Sequence, residues 1–126
     1  MFQIIQLLGE DGNMFDVPLL ANGATSWRFK EVFKQDLLVL FQKSEDNGIY
    51  EIDFVSQLAF IMAMQAEAKA GRVDLSTLNK ESMITWLEKL DSFAITTKAK
   101  DIVGVYTRSL DGMSKEKKKV RKPNAK

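Results

Sequence analysis

Phe54-Val55-Ser56-Gln57-Leu58-Ala59-Phe60-Ile61-Met62-Ala63-Met64-Gln65-Ala66 is the stretch around which the chain is organised. Its middle, Leu58 to Met64, is seven residues without a charge, and the flanks are good helix formers with no Gly or Pro. That composition predicts a helix over about 52–70. Its apolar side chains point in almost every direction around the helical wheel, so neighbours must cover more than one stripe. Such a helix is the central post of a small core. Its length falls in the range of a membrane span, but Asp53, Gln57, Gln65, Glu67 and Lys69 interrupt or crowd it, which argues against that reading.

Before the post, two apolar segments flank the turn signal Gly9-Glu10-Asp11-Gly12-Asn13, and predict a β-hairpin over about residues 2–20. In its second strand Phe15, Val17 and Leu19 alternate with Asp16 and Pro18, giving one apolar face. Pro18 cannot donate a ladder hydrogen bond, which predicts an edge strand. Thr25 or Ser26 is placed to cap a following helix, whose stripe is Phe29, Val32, Phe33, Leu37, Leu40 and Phe41. Asp36 is placed to cap a second short helix within that stretch. Ser44 to Gly48 has the composition of a loop.

After the post, Gly71 is a helix stop and Asn79 an N-cap, with Met83, Trp86, Leu87 and Leu90 as the next buried stripe. A further helix is predicted from about Ser92 to Leu110 on Ile95, Ala99, Ile102, Val103, Tyr106 and Leu110, with Gly104 making room for a bulky neighbour such as Trp86. From Asp111 the apolar pattern ends, and residues 111–126 are expected to be a disordered basic tail. The expected fold class is therefore mainly α. Four to five helices surround the central one in a single domain over 1–110, with the hairpin at the N-terminal end.

With 126 residues and 45% hydrophobic content the chain is the size of one core. There is no Cys and no His, which removes disulfides, thiolate metal sites and the commonest general acid/base and metal ligand. An intracellular protein that is not an enzyme and holds no cofactor or metal is the expectation. The Met1 to Gln6 stretch has no basic leader and no sustained apolar run of a signal peptide. Net charge is +1, unevenly spread: residues 111–126 hold six Lys and one Arg against Asp111 and Glu116, a net of +5 that leaves −4 for residues 1–110.

Gly9-Glu10-Asp11-Gly12 and Asp46-Asn47-Gly48 resemble phosphate or calcium loops only superficially, lacking Gly-Lys-Ser/Thr and the alternating oxygen ligands respectively. Trp27, Phe29, Phe33, Phe41 and Trp86 lie at helical spacing among Leu and Val, the pattern of a core rather than of a base-stacking platform. Glu81, Glu88 and Asp91 supply carboxylates and Lys89 and Lys98 amines on what should be solvated helix faces, and nothing in the sequence argues for the burial or close partner that a catalytic pair needs. The basic tail, with Lys115, Lys117, Lys118, Lys119, Arg121 and Lys122, is suited to phosphates or acidic protein surfaces, or simply to keeping the chain soluble. It lacks aromatic residues, and the acidic body opposes nucleic acid.

The order of segments carries one further signal. Asn22-x-x-Thr25-x-x-Arg28-Phe29-Lys30-x-x-Phe33-x-x-Asp36-Leu37-Leu38, then Leu58 to Ala63, then Ile84 to Asp91, then Ala99-x-x-Ile102-x-x-x-Tyr106 and a Lys-rich end resembles the tail assembly chaperones of long-tailed phages and prophages of Gram-positive bacteria. The likeness covers about residues 15–122. It implies a non-enzymatic assembly factor in the bacterial cytoplasm, absent from the mature virion, that binds the tape measure protein and keeps it soluble while the tail tube assembles. It also implies self-association and, as is common in that family, a second form extended by a frameshift near the end of the short frame, for which Lys117-Lys118-Lys119 would be the slip site if consecutive adenines encode it. For the client surface, Pro18 at the hairpin edge and the adaptable Met62 and Met64 are the candidates, with the Lys-rich end. The alternative is a small phage nucleic-acid-binding or regulatory protein acting through its tail. Deletion of Lys115–Lys126 separates the two, because only the latter loses its whole affinity.

Overall fold

The computed structural model describes the backbone of residues 1–121 and the side chains of residues 1–110. Strands β1 (Phe2–Leu8) and β2 (Met14–Leu20) form an antiparallel hairpin, as the turn residues require, with Gly12 at φ +86 in the turn. Helices α1 (Thr25–Phe33), α2 (Leu37–Asn47), α3 (Ile52–Lys69), α4 (Lys80–Leu87), α5 (Ala94–Thr97) and α6 (Ala99–Arg121) follow, with a 3-10 turn at Leu75–Thr77. The fold is mainly helical, around α3. The disorder expected of the basic tail falls on residues whose side chains lie outside the description, and residues 122–126 lie outside it entirely.

Helix α3 is buried nearly all round: Phe54, Val55, Leu58, Ala59, Phe60, Ile61, Met62, Ala63, Gln65 and Ala66 are all inaccessible. The hairpin covers one side through Ile5, Leu7, Val17 and Leu19, α1 another through Phe29 and Phe33, and α6 a third through Ile102, Val103, Val105 and Tyr106. Aromatic rings meet edge-on or tilted at Phe29–Phe33 (5.2 Å), Phe29–Phe54 (6.4 Å), Phe60–Trp86 (6.0 Å) and Phe41–Tyr106 (5.8 Å), geometries that suit their quadrupoles. Burial pushes the Tyr106 phenol above its usual range, with the Asp36 charge adding to it.

Gln65 is the polar exception within α3. Its Nε2 donates to the Leu20 carbonyl at 2.8 Å and to Thr25 Oγ1 at 2.9 Å, while Thr25 Oγ1 also accepts from the Asn22 N–H at 2.9 Å. The end of β2, the start of α1 and the C-terminal third of α3 are thus pinned together. This corrects the expectation that Thr25 or Ser26 caps α1: the N-cap is Ala24, with no side-chain bond, because the Thr25 hydroxyl is already inside the helix and engaged with Gln65.

Asp36 caps α2 as its position predicts, its carboxylate accepting from the Leu38 and Val39 N–H groups at 3.0 and 3.3 Å. Asp36→Ala is expected to cost about 1 kcal/mol in urea unfolding, the usual loss for a cap, and a change under about 0.3 kcal/mol would show the cap to be idle. Ser44 to Asn47, expected as a loop, belongs to α2. A Gln42–Asp46 hydrogen bond of 3.0 Å one turn apart supports that last turn, and Gly48 at φ +69 ends it.

Asn79 builds a reciprocal capping box with Ser82 at the start of α4, and Gly71 takes φ +80 just past α3. The single helix expected over Ser92–Leu110 is broken at Lys98 into α5 and α6. The β-branched run Ile95-Thr96-Thr97 weakens it, and the Thr97 hydroxyl bonds back to the Phe93 carbonyl at 2.8 Å. Trp86 does not fill the space beside Gly104. Arg108 does, with its guanidinium 3.2 Å from where a Cβ would stand, while Trp86 lies against Phe60.

Candidate functional site

A hairpin resting on one helix is ordinarily polar on its far side. Here the residues facing away from α3 pair as Phe2–Leu20, Ile4–Pro18, Gln6–Asp16 and Leu8–Met14, so three of the four rungs are apolar. Phe2, Ile4 and Met14 are 55%, 52% and 49% exposed, and the one polar rung is closed by Gln6 Nε2 donating to Asp16 Oδ1 at 3.2 Å. Both faces of the sheet are therefore apolar, and only the inward one is covered. Patches of this kind mark interaction surfaces rather than ordinary solvated faces.

The hydrogen-bond parity of the ladder explains Pro18. Met1 and Ala21 exchange both backbone bonds, at 2.7 and 2.8 Å, and Gly9 N–H donates to the Asn13 carbonyl at 2.8 Å, so the odd-numbered residues of β1 form the hydrogen-bonded rungs. Pro18 faces Ile4 in a rung without such bonds, and its missing N–H lies on the outer edge of β2, where none is needed. On the opposite edge, the outward backbone groups of Phe2, Ile4 and Gln6 make no backbone hydrogen bond among the described residues. Farther along, that edge is closed by Asp91 N–H donating to the Leu8 carbonyl at 2.9 Å and by the Gly9–Leu90 bridge.

Next to the outer edge of β2 lies a groove of about 440 Å³, lined by Phe15, Pro18, Met64, Val73, Trp86 and Lys89 among others. Its floor is α3 and its far wall α4, whose Met83, Trp86 and Leu87 are only half buried. Glu67, also on its lining, bonds Arg72 Nε at 2.5 Å, and that guanidinium holds its carboxyl below the usual carboxylate range. The groove is open and mostly apolar, with a few charges at its margin. Its shape suits a side-chain row from another chain better than an enclosed small molecule.

The structure brings Pro18 and Met64 together at this groove and does not bring Met62 to it. Met62 is fully buried, on the side of α3 closed by its neighbours, which corrects its candidacy as a surface residue. The candidates Lys115, Lys117, Lys118, Lys119 and Arg121 have side chains outside the description, and Lys122 lies outside the described residues. Trp27, expected in the core, is 70% exposed. Helix α1 turns Thr25, Phe29 and Phe33 inward, and Trp27, two residues from Thr25, faces away over Lys30, Glu31 and Lys34.

Sequence reasoning missed Phe2, Ile4 and Met14 as surface residues. The signal was present: β1 reads Phe2-Gln3-Ile4-Ile5-Gln6-Leu7-Leu8, which does not alternate, as in strands apolar on both faces. Among the described residues there is no group of three or more acidic side chains placed to hold a metal ion, and no helix long and apolar enough to cross a membrane. Comparison with known proteins adds no relative: no protein-family model, curated protein or solved structure matches this chain.

Proposed function

We propose that this chain is a phage tail assembly chaperone, a non-enzymatic factor that binds the tape measure protein and keeps it soluble while the tail tube assembles. The observation that supports it most is the outward hairpin face, three apolar rungs whose Phe2, Ile4 and Met14 are about half exposed, beside an apolar groove. A holdase needs a broad, shallow apolar surface that covers a stripe of its client without enclosing it. A long helical ruler protein presents such stripes until tube subunits surround it. The order of segments that resembles the chaperone family points the same way. On this reading the protein acts in the cytoplasm of the bacterial host and leaves before the virion is complete.

Co-expression with the long helical protein encoded downstream is the test. Soluble yield and co-purification of that protein are expected to rise with the wild-type chain and to fall at least about fivefold with Ile4→Lys. Ile4 is half exposed, so the variant is expected to keep its far-UV circular dichroism and its unfolding midpoint. No rescue by the wild-type chain, or rescue that Ile4→Lys leaves intact, rejects this surface as the holdase site.

A further inference from the structure

The hairpin's charge pattern bears on what its outward face receives. Residues 1–27 contain Glu10, Asp11 and Asp16 and not one Lys or Arg, although Lys is the residue that most commonly guards an exposed strand from unwanted partners. Asp16 stands in the polar rung of the outward face, and Glu10 and Asp11 sit in the turn at its Leu8–Met14 end. The Asp11 carboxylate is engaged only by its own turn, accepting from the Asn13 N–H at 2.9 Å. Among the described residues none of these three carboxylates has a salt-bridge partner. Of the described cations, Lys89 lines the same groove as Asp16 without forming a salt bridge to it, and Arg108 donates to the inward-facing Gln3.

We propose that this face receives a cationic amphipathic helix, an apolar stripe bordered by Lys or Arg, with the basic residues toward the turn. The assignment rests on the chaperone reading and names the class of client segment. Three apolar rungs accept the stripe, while the unpaired carboxylates at one end set its direction and favour cations along its border. Two other occupants fit less well. A second copy laid parallel would set Asp16 and the acidic turn against their own kind, and one laid antiparallel would bury Asp16 against the apolar Ile4–Pro18 rung. The chain's own segment 111–126 has the right sign but offers Met113 and Val120 as its only large apolar residues, too few for three rungs.

The test uses the full chain and two fluorescein-labelled helical peptides of about 18 residues, about the length of α3 and long enough to cross the hairpin. Both carry the same Leu stripe, bordered in one by Lys and in the other by Glu. Fluorescence anisotropy is expected to give about tenfold tighter binding of the Lys peptide at low salt, narrowing to within about threefold at 0.5 M salt. Asp16→Lys should cut that preference about threefold with the fold intact by circular dichroism, whereas Asp46→Lys on α2 should leave it unchanged.

Equal binding of the two peptides, or preference for Glu, overturns the proposal. So does tighter binding of a peptide of residues 111–126, which would assign the face to the chain's own end. A dimer abolished by Ile4→Lys and displaced by neither peptide would assign it to a second copy and overturn the proposal too. Failure of the chaperone reading is separately visible. A Lys-peptide preference without co-purification of the ruler protein leaves the charge selectivity standing and removes its client, and co-purification without that preference does the reverse.

Discussion

Phe60→Ala is expected to remove about 3–5 kcal/mol from the unfolding free energy, the usual cost of truncating a fully buried phenylalanine. That is a large part of the 5–15 kcal/mol typical of a domain. Phe60 has no exposed surface and packs against Trp86 at 6.0 Å, so its loss leaves a cavity and strips a half-buried indole of its partner. Because α4 is held to the body partly through that indole, the groove wall should loosen before the core does. Urea unfolding followed by tryptophan fluorescence measures both effects. Phe93→Ala is the matched control, at a ring 69% exposed, and should change stability by less than about 0.5 kcal/mol. A Phe60→Ala loss below about 1 kcal/mol would mean that α3 is not the post on which the fold stands.

Gln65→Glu is the second large effect, and its sign depends on pH. The amide Nε2 gives hydrogens to both the Leu20 carbonyl and Thr25 Oγ1, and Oε1 is buried without a partner among the described residues. A glutamate there is nearly isosteric, but its ionised form only accepts, so it would face the Leu20 carbonyl with a buried charge. The protonated form can still donate. Burial therefore raises its folded carboxyl above the unfolded value of about 4.3. A raised folded pKa means that stability is retained below the unfolded value and lost as pH climbs through the folded one. The variant should unfold within about 1 kcal/mol of the wild type at acid pH, and about 3 kcal/mol below it at neutral pH. Paired urea titrations at about pH 3.5 and 7.5 measure the difference between the proteins at each pH. A difference that stays flat would show that Gln65 is more solvated than its 3% exposure indicates.

Much of the fold was legible because local chemistry and burial agree. The hairpin ends, the Asp36 and Asn79 caps, the Gly71 stop and the all-round burial of α3 each rest on residue types whose preferences the environment reinforces. What was hidden needed a neighbour from far along the chain. Gln65 reads in one dimension as an interruption of an apolar run, and only Leu20 and Thr25, 45 and 40 residues away, make it a tie. Trp27 reads as core because it is large and apolar, but two residues from Thr25 is the wrong side of α1. The candidate surface was legible in part. Pro18 and Met64 do share a groove, but the apolar outward face of β1 was passed over, because a non-alternating strand gives no clue in sequence to which face stays uncovered.

Arg108 donates to Gln3 across 105 residues, and α6 packs against β1, so the first strand receives its last neighbour only after nearly the whole body exists. During synthesis at 5–20 residues per second, that interval is roughly 5–20 s. The inward rungs wait less, since α3, which covers them, is complete at Lys69, roughly 2–10 s after Leu20 at that rate, while the outward rungs stay open throughout. Until α3 follows, the hairpin is open on both faces, so newly made chains are safest from one another when polysomes are sparse.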